Sequence, residues 1–239
     1  MKDYKGKIKS VKKISIDAYE LLIQSDLENT ISGQFISILC PNTTLRRPFS
    51  IAGFDKETKT LKILIKLKGD GTNYLKTLKE NDEINFLAPL GNGFKIENKK
   101  SLLIGAGIGI APMLFLKDEL NNKNIENYLI SGFKAQEEMI EGSDKTVIGG
   151  SVLDNLDEII KEKNIEILYS CGPHIVLKLV SQLAKKHNIK AQVAMEKTMA
   201  CSIGVCRGCI IKVNKQGKIE NASVCKDGPV FYGDEVIWE

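Results

Sequence analysis

The sequence is poor in the side chains that most often transfer protons or attack substrates. It contains two histidines, His174 and His187, in 239 residues, and neither lies in a recognisable motif. No general-base or nucleophile constellation is apparent. We therefore expect any chemistry to come from bound cofactors, with the protein holding and tuning them.

Other absences narrow the class of protein. The net charge of +4 is not gathered into a basic block, so we expect no nucleic-acid partner. The N-terminal sequence lacks the continuous apolar segment of a secretory signal. The longest apolar run, residues 102–116, is shorter than a bilayer span and is interrupted by glycines and a proline. We expect a cytoplasmic protein with no membrane partner.

The pattern of apolar residues predicts a multi-domain β and α/β protein. As far as residue 90, short segments with period-two alternation predict an antiparallel barrel or sandwich; they are residues 7–16, 18–24, 34–39, 47–53 and 61–68. From residue 101, strands alternate with helices, which predicts a doubly wound parallel sheet. One predicted helix carries Val176, Leu179, Val180 and Leu183 on a common face. The pattern changes predict domains at 1–98 and 99–190 and a small C-terminal domain at 191–239.

Four of the six cysteines form the most specific pattern in the chain. Cys201, Cys206, Cys209 and Cys225 follow the spacing C-x4-C-x2-C-x15-C. The first three match the ligand spacing of plant-type ferredoxins, and glycines between them let a loop turn its amides toward the sulfurs. We expect a [2Fe-2S] cluster. A zinc site, a disulfide pair and four inert buried thiols are the alternatives, and the single C-x2-C pair without histidine argues against zinc. Of the other two cysteines, Cys40 is expected to be a small buried apolar residue.

Two turns at predicted strand ends indicate a dinucleotide site. Residues 105–112 read G-x-G-x-G-x-x-P and join a strand to a helix, whose N-terminus favours a pyrophosphate. A Cys-Gly-Pro turn ends a later strand of the same sheet, where open α/β sheets bind ligands. The candidate NAD residues are Gly105, Gly107, Gly109, Pro112, Cys171, Gly172 and Pro173. A tight connection without a ligand, and a packed thiol at position 171, are the alternatives.

A third motif lies in the β domain. Arg47, Pro48, Phe49 and Ser50 open a predicted strand, and Gly71-Thr72 follows in a turn. An arginine suits a diphosphate, a serine hydroxyl can bond a flavin ring, and a Gly-Thr turn offers main-chain donors to phosphate. On spacing alone, a solvated basic strand end is the simpler explanation.

Together and in this order, these motifs resemble the ferredoxin-reductase superfamily, and more closely the electron-transfer subunits of dihydroorotate dehydrogenase B. The resemblance covers essentially the whole chain. Its most specific parts are M-A-C-S-I-G-V-C-R-G-C at residues 199–209 and C-K-D-G-P-V-F at residues 225–231.

The resemblance implies an FAD-binding barrel, an NAD-binding α/β domain and a [2Fe-2S] domain. It implies that FAD is lined by Arg47, Pro48, Phe49, Ser50, Leu64, Ile65, Lys66, Gly71 and Thr72, and that the four C-terminal cysteines ligate the cluster. Two departures are visible. Family members usually carry glycine where this chain has Ser202, which can alter a hydrogen bond to the cluster, and Phe49 replaces an aliphatic residue.

The function implied by the resemblance is electron transfer in pyrimidine biosynthesis. An FMN-containing catalytic subunit, in a heterotetramer with this chain, would oxidise dihydroorotate, and the electrons would pass through the cluster and FAD to NAD⁺. A diaphorase subunit of a hydrogenase or of a ferredoxin:NADP⁺ oxidoreductase is the first alternative. A non-enzymatic redox sensor or zinc-binding module is the second. Lys134, Glu137 and Glu138, which follow a predicted strand, do not distinguish NAD from NADP.

Overall fold

The computed structural model describes residues 1–41 and 43–238. The N-terminal part is a closed antiparallel barrel with strand order β1-β2-β5-β4-β3-β6. Its elements are β1 Lys2–Lys13, β2 Ala18–Gln24, β3 Phe35–Ile38, β4 Arg47–Asp55, β5 Thr60–Lys66, the short helix α1 Asp70–Leu75 and β6 Glu83–Leu90. The predicted antiparallel barrel is confirmed, although β6 was not among the predicted strands.

The period-two pattern of β5 explains how the barrel is filled. Leu61, Ile63 and Ile65 are fully buried inside it. Leu64, on the opposite face of the strand, is buried in the core that the barrel shares with the second domain. Because both faces of β5 are covered, each of these side chains contributes about 1.5–3 kcal/mol through burial.

The second domain is a sheet with strand order β14-β11-β10-β7-β8-β9, parallel except for β14. Its elements in chain order are β7 Ser101–Ala106, α2 Ile110–Asn122, β8 Asn127–Phe133, β9 Lys145–Ile148, α3 Leu156–Glu162, β10 Ile167–Cys171, α4 His174–Lys186 and β11 Lys190–Ala194. Strands β8 and β9 lie on one side of β7, and β10 and β11 on the other. The doubly wound prediction is confirmed, and the order reverses between β7 and β10, which is where such sheets bind ligands.

The common apolar face predicted for α4 is only partly buried. The side chains that α4 buries are Leu177, Val180, Ser181 and Ala184. Of the predicted set only Val180 is fully buried, and Leu179 is 39% exposed. Leu177, which lies outside the predicted set, is 1% exposed, whereas Val176 and Leu183 are partly buried against the core of the sheet.

The C-terminal segment packs against both larger domains. It comprises β12 Ile210–Lys215, β13 Lys218–Ser223, α5 Val224–Asp227 and β14 Val230–Tyr232. Phe231 and Cys225 share a core with Phe35 and Leu90 of the barrel and Val193 of the sheet. The predicted boundary at 190 coincides with the start of β11, a strand of the sheet, and the domain limits stay predictions. Glu239 lies outside the described residues.

Candidate cofactor-binding sites

The four C-terminal cysteines lie together at one end of the C-terminal segment. Cys201, Cys206 and Cys209 belong to the loop before β12, and Cys225 lies in α5. The Sγ atoms of Cys209 and Cys225 are 3.3 Å apart, and both residues are only 2% exposed. Cys201 is half-buried and Cys206 is exposed. All six cysteines of the chain are free thiols, so the disulfide alternative is wrong, and the exposure of Cys206 contradicts four inert buried thiols.

Main-chain amides point at all four sulfurs. Gly204 N–H donates to Cys225 Sγ (3.1 Å) and Cys206 N–H to Cys201 Sγ (3.3 Å). Gly208 N–H donates to Cys206 Sγ and Cys225 N–H to Cys209 Sγ, both at 3.4 Å. Each sulfur therefore accepts at least one amide hydrogen bond, which stabilises thiolate charge and suits cluster ligands.

The pKa values of two thiols diverge in this loop. At Cys201, burial works to raise the pKa, but hydrogen bonds from the amides of Cys206, Ile203 and Val205 outweigh it and lower the pKa to about 6. At Cys225, burial and the neighbouring Cys209 thiol raise the pKa to about 12. The loop therefore favours a thiolate at Cys201 and disfavours one at Cys225. A metal centre held by these residues would deprotonate both thiols through coordination.

The loop turns through left-handed backbone conformations. Ser202, Gly204 and Arg207 have φ values of +61°, +85° and +55°. The φ of Ser202 gives a physical reason for the glycine implied at that position by the family resemblance, because glycine reaches this region without strain. Ser202 is fully buried, and its Oγ accepts a hydrogen bond of 3.0 Å from Ser37 Oγ of strand β3.

The proposed flavin residues of β4 and β5 lie where these two strands separate, which leaves an opening between them. The ladder between β4 and β5 ends at the pair Ile51 and Ile63. Residues 47–50 and 64–66 lie beyond it and are not paired with each other. Leu64 is 4% exposed and Ile65 is fully buried, so at these two positions only the main chain can meet a ligand. Unpaired strand edges offer the donors and acceptors that a flavin ring requires.

The diphosphate part of the prediction places Arg47 beside Gly71. A Cβ atom added at Gly71 would lie 3.0 Å from Arg47 Cγ. Thr72 Oγ1 accepts the N–H groups of Lys68 and Gly69, so its hydroxyl caps the turn. The N–H groups of Gly71 and Thr72 lie in the first turn of α1 and have no intrahelical partner. A guanidinium next to free amides fits an anionic group.

Lys66 makes ion pairs on both sides of the domain boundary. Its Nζ lies 3.1 Å from Asp17 Oδ2 of the barrel and 3.0 Å from Glu138 Oε2 of the second domain. Desolvation lowers the pKa of Lys66, but the hydrogen bonds to Glu138 and Asp17 outweigh it and raise the pKa. Glu138, which sequence reasoning considered for a ribose, contacts this lysine instead.

The two nucleotide turns meet at the carboxyl edge of the sheet. Strands β7 and β10 are neighbours, with Gly105 opposite Cys171. A Cβ at Gly109 would collide with the Cys171 carbonyl, and one at Gly172 would lie 2.7 Å from Ala106 Cβ. Gly107 differs, because its φ is +57° and a Cβ there would meet no atom within 4 Å. The turns pack tightly on each other and leave open space at Gly107, which fits a pyrophosphate approaching the helix N-terminus. Pro112 lies in the first turn of α2.

The thiol of Cys171 has no nucleophilic character. It is 1% exposed, and burial raises its pKa well above the usual range, with the Glu196 carboxylate adding to the shift. A buried protonated thiol at this place acts as a packing group. Cys40 is likewise 1% exposed in the barrel core, as predicted.

The structure thus brings the predicted residues together as three groups. Sequence reasoning missed the groups that connect them, namely Ser37, Asp17 and Asn92, whose Nδ2 donates to the Asp227 carbonyl (2.9 Å) beside the cysteine loop. No local motif marks these residues, because their partners are distant along the chain.

Comparison with known proteins agrees with this arrangement. Residues 196–237 match the iron-sulfur cluster binding domain of dihydroorotate dehydrogenase B. The chain is 35% identical to the electron transfer subunit of dihydroorotate dehydrogenase B (NAD(+)) from Caldanaerobacter subterraneus subsp. tengcongensis, covering 98% of both proteins. It is 34% identical to the protein of that name from Clostridium perfringens, covering 99% of this chain and 98% of that one.

Solved structures share the fold. The NADH-dependent reduced ferredoxin-NADP oxidoreductase, studied for flavin-based electron bifurcation, superposes with a TM-score of 0.83 at 27% identity and covers 98% of this chain and 90% of that chain. Phthalate dioxygenase reductase superposes with a TM-score of 0.64 at 18% identity, over 91% of this chain and 75% of that chain.

The barrel, the doubly wound sheet and the C-terminal domain define an iron-sulfur flavoprotein of the ferredoxin-reductase type, an electron-transfer oxidoreductase that uses FAD, a [2Fe-2S] cluster and NAD. Within that class, the chain belongs to the family of dihydroorotate dehydrogenase B electron transfer subunits. The zinc-module alternative is not favoured. Among residues 1–41 and 43–238, no helix combines the length and hydrophobicity that a membrane crossing requires.

Proposed function

We propose that this chain is the electron-transfer subunit of a cytoplasmic, NAD-dependent dihydroorotate dehydrogenase. It accepts electrons from an FMN-containing catalytic subunit that oxidises dihydroorotate in pyrimidine biosynthesis, and it delivers them to NAD⁺. The near full-length similarity to the Caldanaerobacter protein carries this proposal. The three groups of side chains described above support it, because each suits one of the three cofactors.

The cluster is assigned to Cys201, Cys206, Cys209 and Cys225. The amide hydrogen bonds at all four sulfurs support this assignment. Cys209 and Cys225 hold the buried side of the site, and Cys206 the exposed side.

FAD is assigned to the opening between β4 and β5. Arg47 and the free amides of Gly71 and Thr72 would hold the diphosphate, while Ser50 and the main chain of residues 64–66, on the edge that faces β4, would hold the ring. The end of the β4–β5 ladder at Ile51 and Ile63 supports this placement.

The dinucleotide is assigned to the two turns at the switch point of the sheet. The open space at Gly107 and the tight contact between Gly109 and Cys171 support an anion-binding turn backed by a rigid one. Pro112 lies in the first turn of α2, whose N-terminus favours an anion. Gly105, Gly172 and Pro173 shape the two turns.

The protein's part in the reaction is to position the cofactors and to shield them from water. When bound, FAD exchanges hydride with the nicotinamide and single electrons with the cluster. Apolar packing of β5 and the buried Cys171 thiol keep water from the centre of the molecule. No side chain is required to transfer a proton, in agreement with the scarcity of histidine.

The cysteine loop is the surface that we assign to the catalytic partner, in a heterotetramer. Val205, at the tip of the loop, is 76% exposed, and Cys206 next to it is exposed as well. Electron transfer between subunits requires a cofactor near the surface, and this loop is the part of the cluster site that solvent reaches.

The test is to tag the chain in its native host, purify it without oxygen, and identify the proteins that accompany it. We expect an FMN-containing subunit and dihydroorotate-dependent reduction of NAD⁺, lost in Cys206→Ser and retained in Cys40→Ser. A hydrogenase or a ferredoxin-linked partner would overturn the substrate assignment, and so would a chain that oxidises dihydroorotate alone.

A further inference from the structure

A buried pair of serines connects the cysteine loop to the barrel. Ser37 and Ser202 are both fully buried, and Ser37 Oγ donates to Ser202 Oγ at 3.0 Å. Ser202 directly follows the ligand Cys201, and Ser37 pairs with Pro48 across the β3–β4 ladder. The bond therefore runs between the cluster loop and the strand that begins the flavin motif.

The direction of this bond leaves the hydroxyl proton of Ser202 free to be donated elsewhere. Because Ser37 is the donor, the Ser202 oxygen is the acceptor and its own hydroxyl proton needs another acceptor. Within the described part of the chain, no protein group accepts it. A buried hydroxyl without an acceptor is destabilising, because it has lost the hydrogen bond that it makes to water in the unfolded chain. Ser202 also has a φ of +61°, a left-handed conformation that is strained for residues other than glycine.

Both features fall on the side chain that directly follows Cys201, the first of the four proposed cluster ligands. The other donors in this loop are main-chain amides directed at the cysteine sulfurs. A serine hydroxyl adds a side-chain donor of the same kind, held in place from behind by Ser37.

We propose that Ser202 donates a hydrogen bond to a sulfur of the [2Fe-2S] cluster, with Ser37 as a positioning residue, and that this bond raises the reduction potential of the cluster. The inference rests on the proposed ligand set. Reduction adds one negative charge to the cluster, and a hydroxyl donor stabilises the more negative state. Electrons arriving from the partner are thereby held more firmly on the cluster.

The experiment compares cluster potentials in EPR-monitored redox titrations of the cluster-loaded protein. Ser202→Gly is the main variant, because glycine adopts the left-handed backbone without strain and keeps the loop folded. We expect a potential lower by ~59 mV, which is roughly a tenfold change in the one-electron reduction equilibrium. Ser202→Ala should shift in the same direction, and Ser37→Ala should give a smaller shift of the same sign.

Ser181→Ala is the matched control, since it removes a buried hydroxyl that donates to the Leu177 carbonyl within α4 and not to the cysteine loop. Its cluster potential should equal that of the wild type. Pulsed EPR in D₂O should also lose one exchangeable deuteron coupling in Ser202→Gly while the amide couplings remain. An unchanged potential in Ser202→Gly would overturn the inference alone. A wild-type protein without a reduced [2Fe-2S] signal would overturn the ligand set and the inference with it.

Discussion

Gly107 and Gly109, the second and third glycines of the nucleotide turn, should respond differently to alanine, although they are two residues apart. At Gly109 an added methyl group collides with the Cys171 carbonyl, a main-chain group that cannot rotate away. At Gly107 it enters open space, and only the left-handed φ of +57° opposes it. The first substitution should therefore damage the fold and the second the binding site.

The magnitudes follow from those two contacts. Overpacking against a rigid group costs about 3 kcal/mol, whereas left-handed strain at one residue costs about 1–2 kcal/mol. For a protein of this size each kcal/mol lowers Tm by about 2–4 °C. We expect Gly109→Ala to lower Tm by about 6–12 °C and Gly107→Ala by about 2–8 °C.

The assay that separates the two effects is NADH titration of the FAD-loaded protein at a temperature where both variants remain folded. Gly107→Ala should bind NADH at least about tenfold more weakly, because the methyl group occupies the space assigned to the pyrophosphate and 1.4 kcal/mol is a tenfold change. In Gly109→Ala, the free energy of NADH binding should change by less than the free energy of unfolding. Wild-type NADH affinity in Gly107→Ala, or wild-type Tm in Gly109→Ala, would refute the account of these turns.

Three further substitutions test the other sites. Arg47→Ala should weaken FAD binding by about 1.5–3 kcal/mol, roughly 10- to 100-fold, and yield a colour-depleted flavoprotein. Arg46→Ala is the control and should keep its FAD, because the Arg46 guanidinium is already paired within the barrel. Equal FAD occupancy in the two variants would contradict the assignment. Cys225→Ser should abolish the absorbance of the cluster, whereas Cys40→Ser should lower Tm and keep that absorbance. A cluster that survives in Cys225→Ser would exclude Cys225 as a ligand. Glu138→Gln removes one of the ion pairs that join the two larger domains. Because the paired groups are partly exposed, the free energy of unfolding should fall by at most about 1 kcal/mol, and by less at high salt. A large, salt-independent loss measured by denaturant unfolding would contradict this.

The features that sequence predicted are those encoded locally. The spacing of the four C-terminal cysteines, the period-two run Leu61, Ile63 and Ile65, and the glycine turn each lie within a short stretch of chain. Such patterns follow from the geometry of a loop, a strand or a strand–helix turn, whatever the rest of the molecule does.

The features that sequence did not predict depend on packing between distant segments. Ser37 and Ser202 are 165 residues apart, and Lys66 and Glu138 are 72 apart. Leu179 belongs to the predicted apolar face of α4 and is nevertheless 39% exposed. Apolar periodicity shows which side chains share a face, while packing against the sheet decides which of them are buried. Strand β14 is too short to predict alone and exists because β11 offers it an edge.

The position of the C-terminal segment sets the order of the electron path. Strand β14 fastens the segment to the sheet beside β11, while Phe35 and Leu90 of the barrel share its core with Cys209 and Cys225. The cysteine loop is thereby held against β3, which pairs with β4, the strand that begins with the flavin motif. The nucleotide turns lie at the edge of the sheet where β7 meets β10. With the cofactors at the proposed sites, FAD lies on the barrel between the nucleotide and the cluster, and Cys206 forms the outer side of the cluster. A relay in this order has one end open to a dinucleotide and the other open to a protein, which is the arrangement that a subunit transferring electrons to NAD⁺ requires.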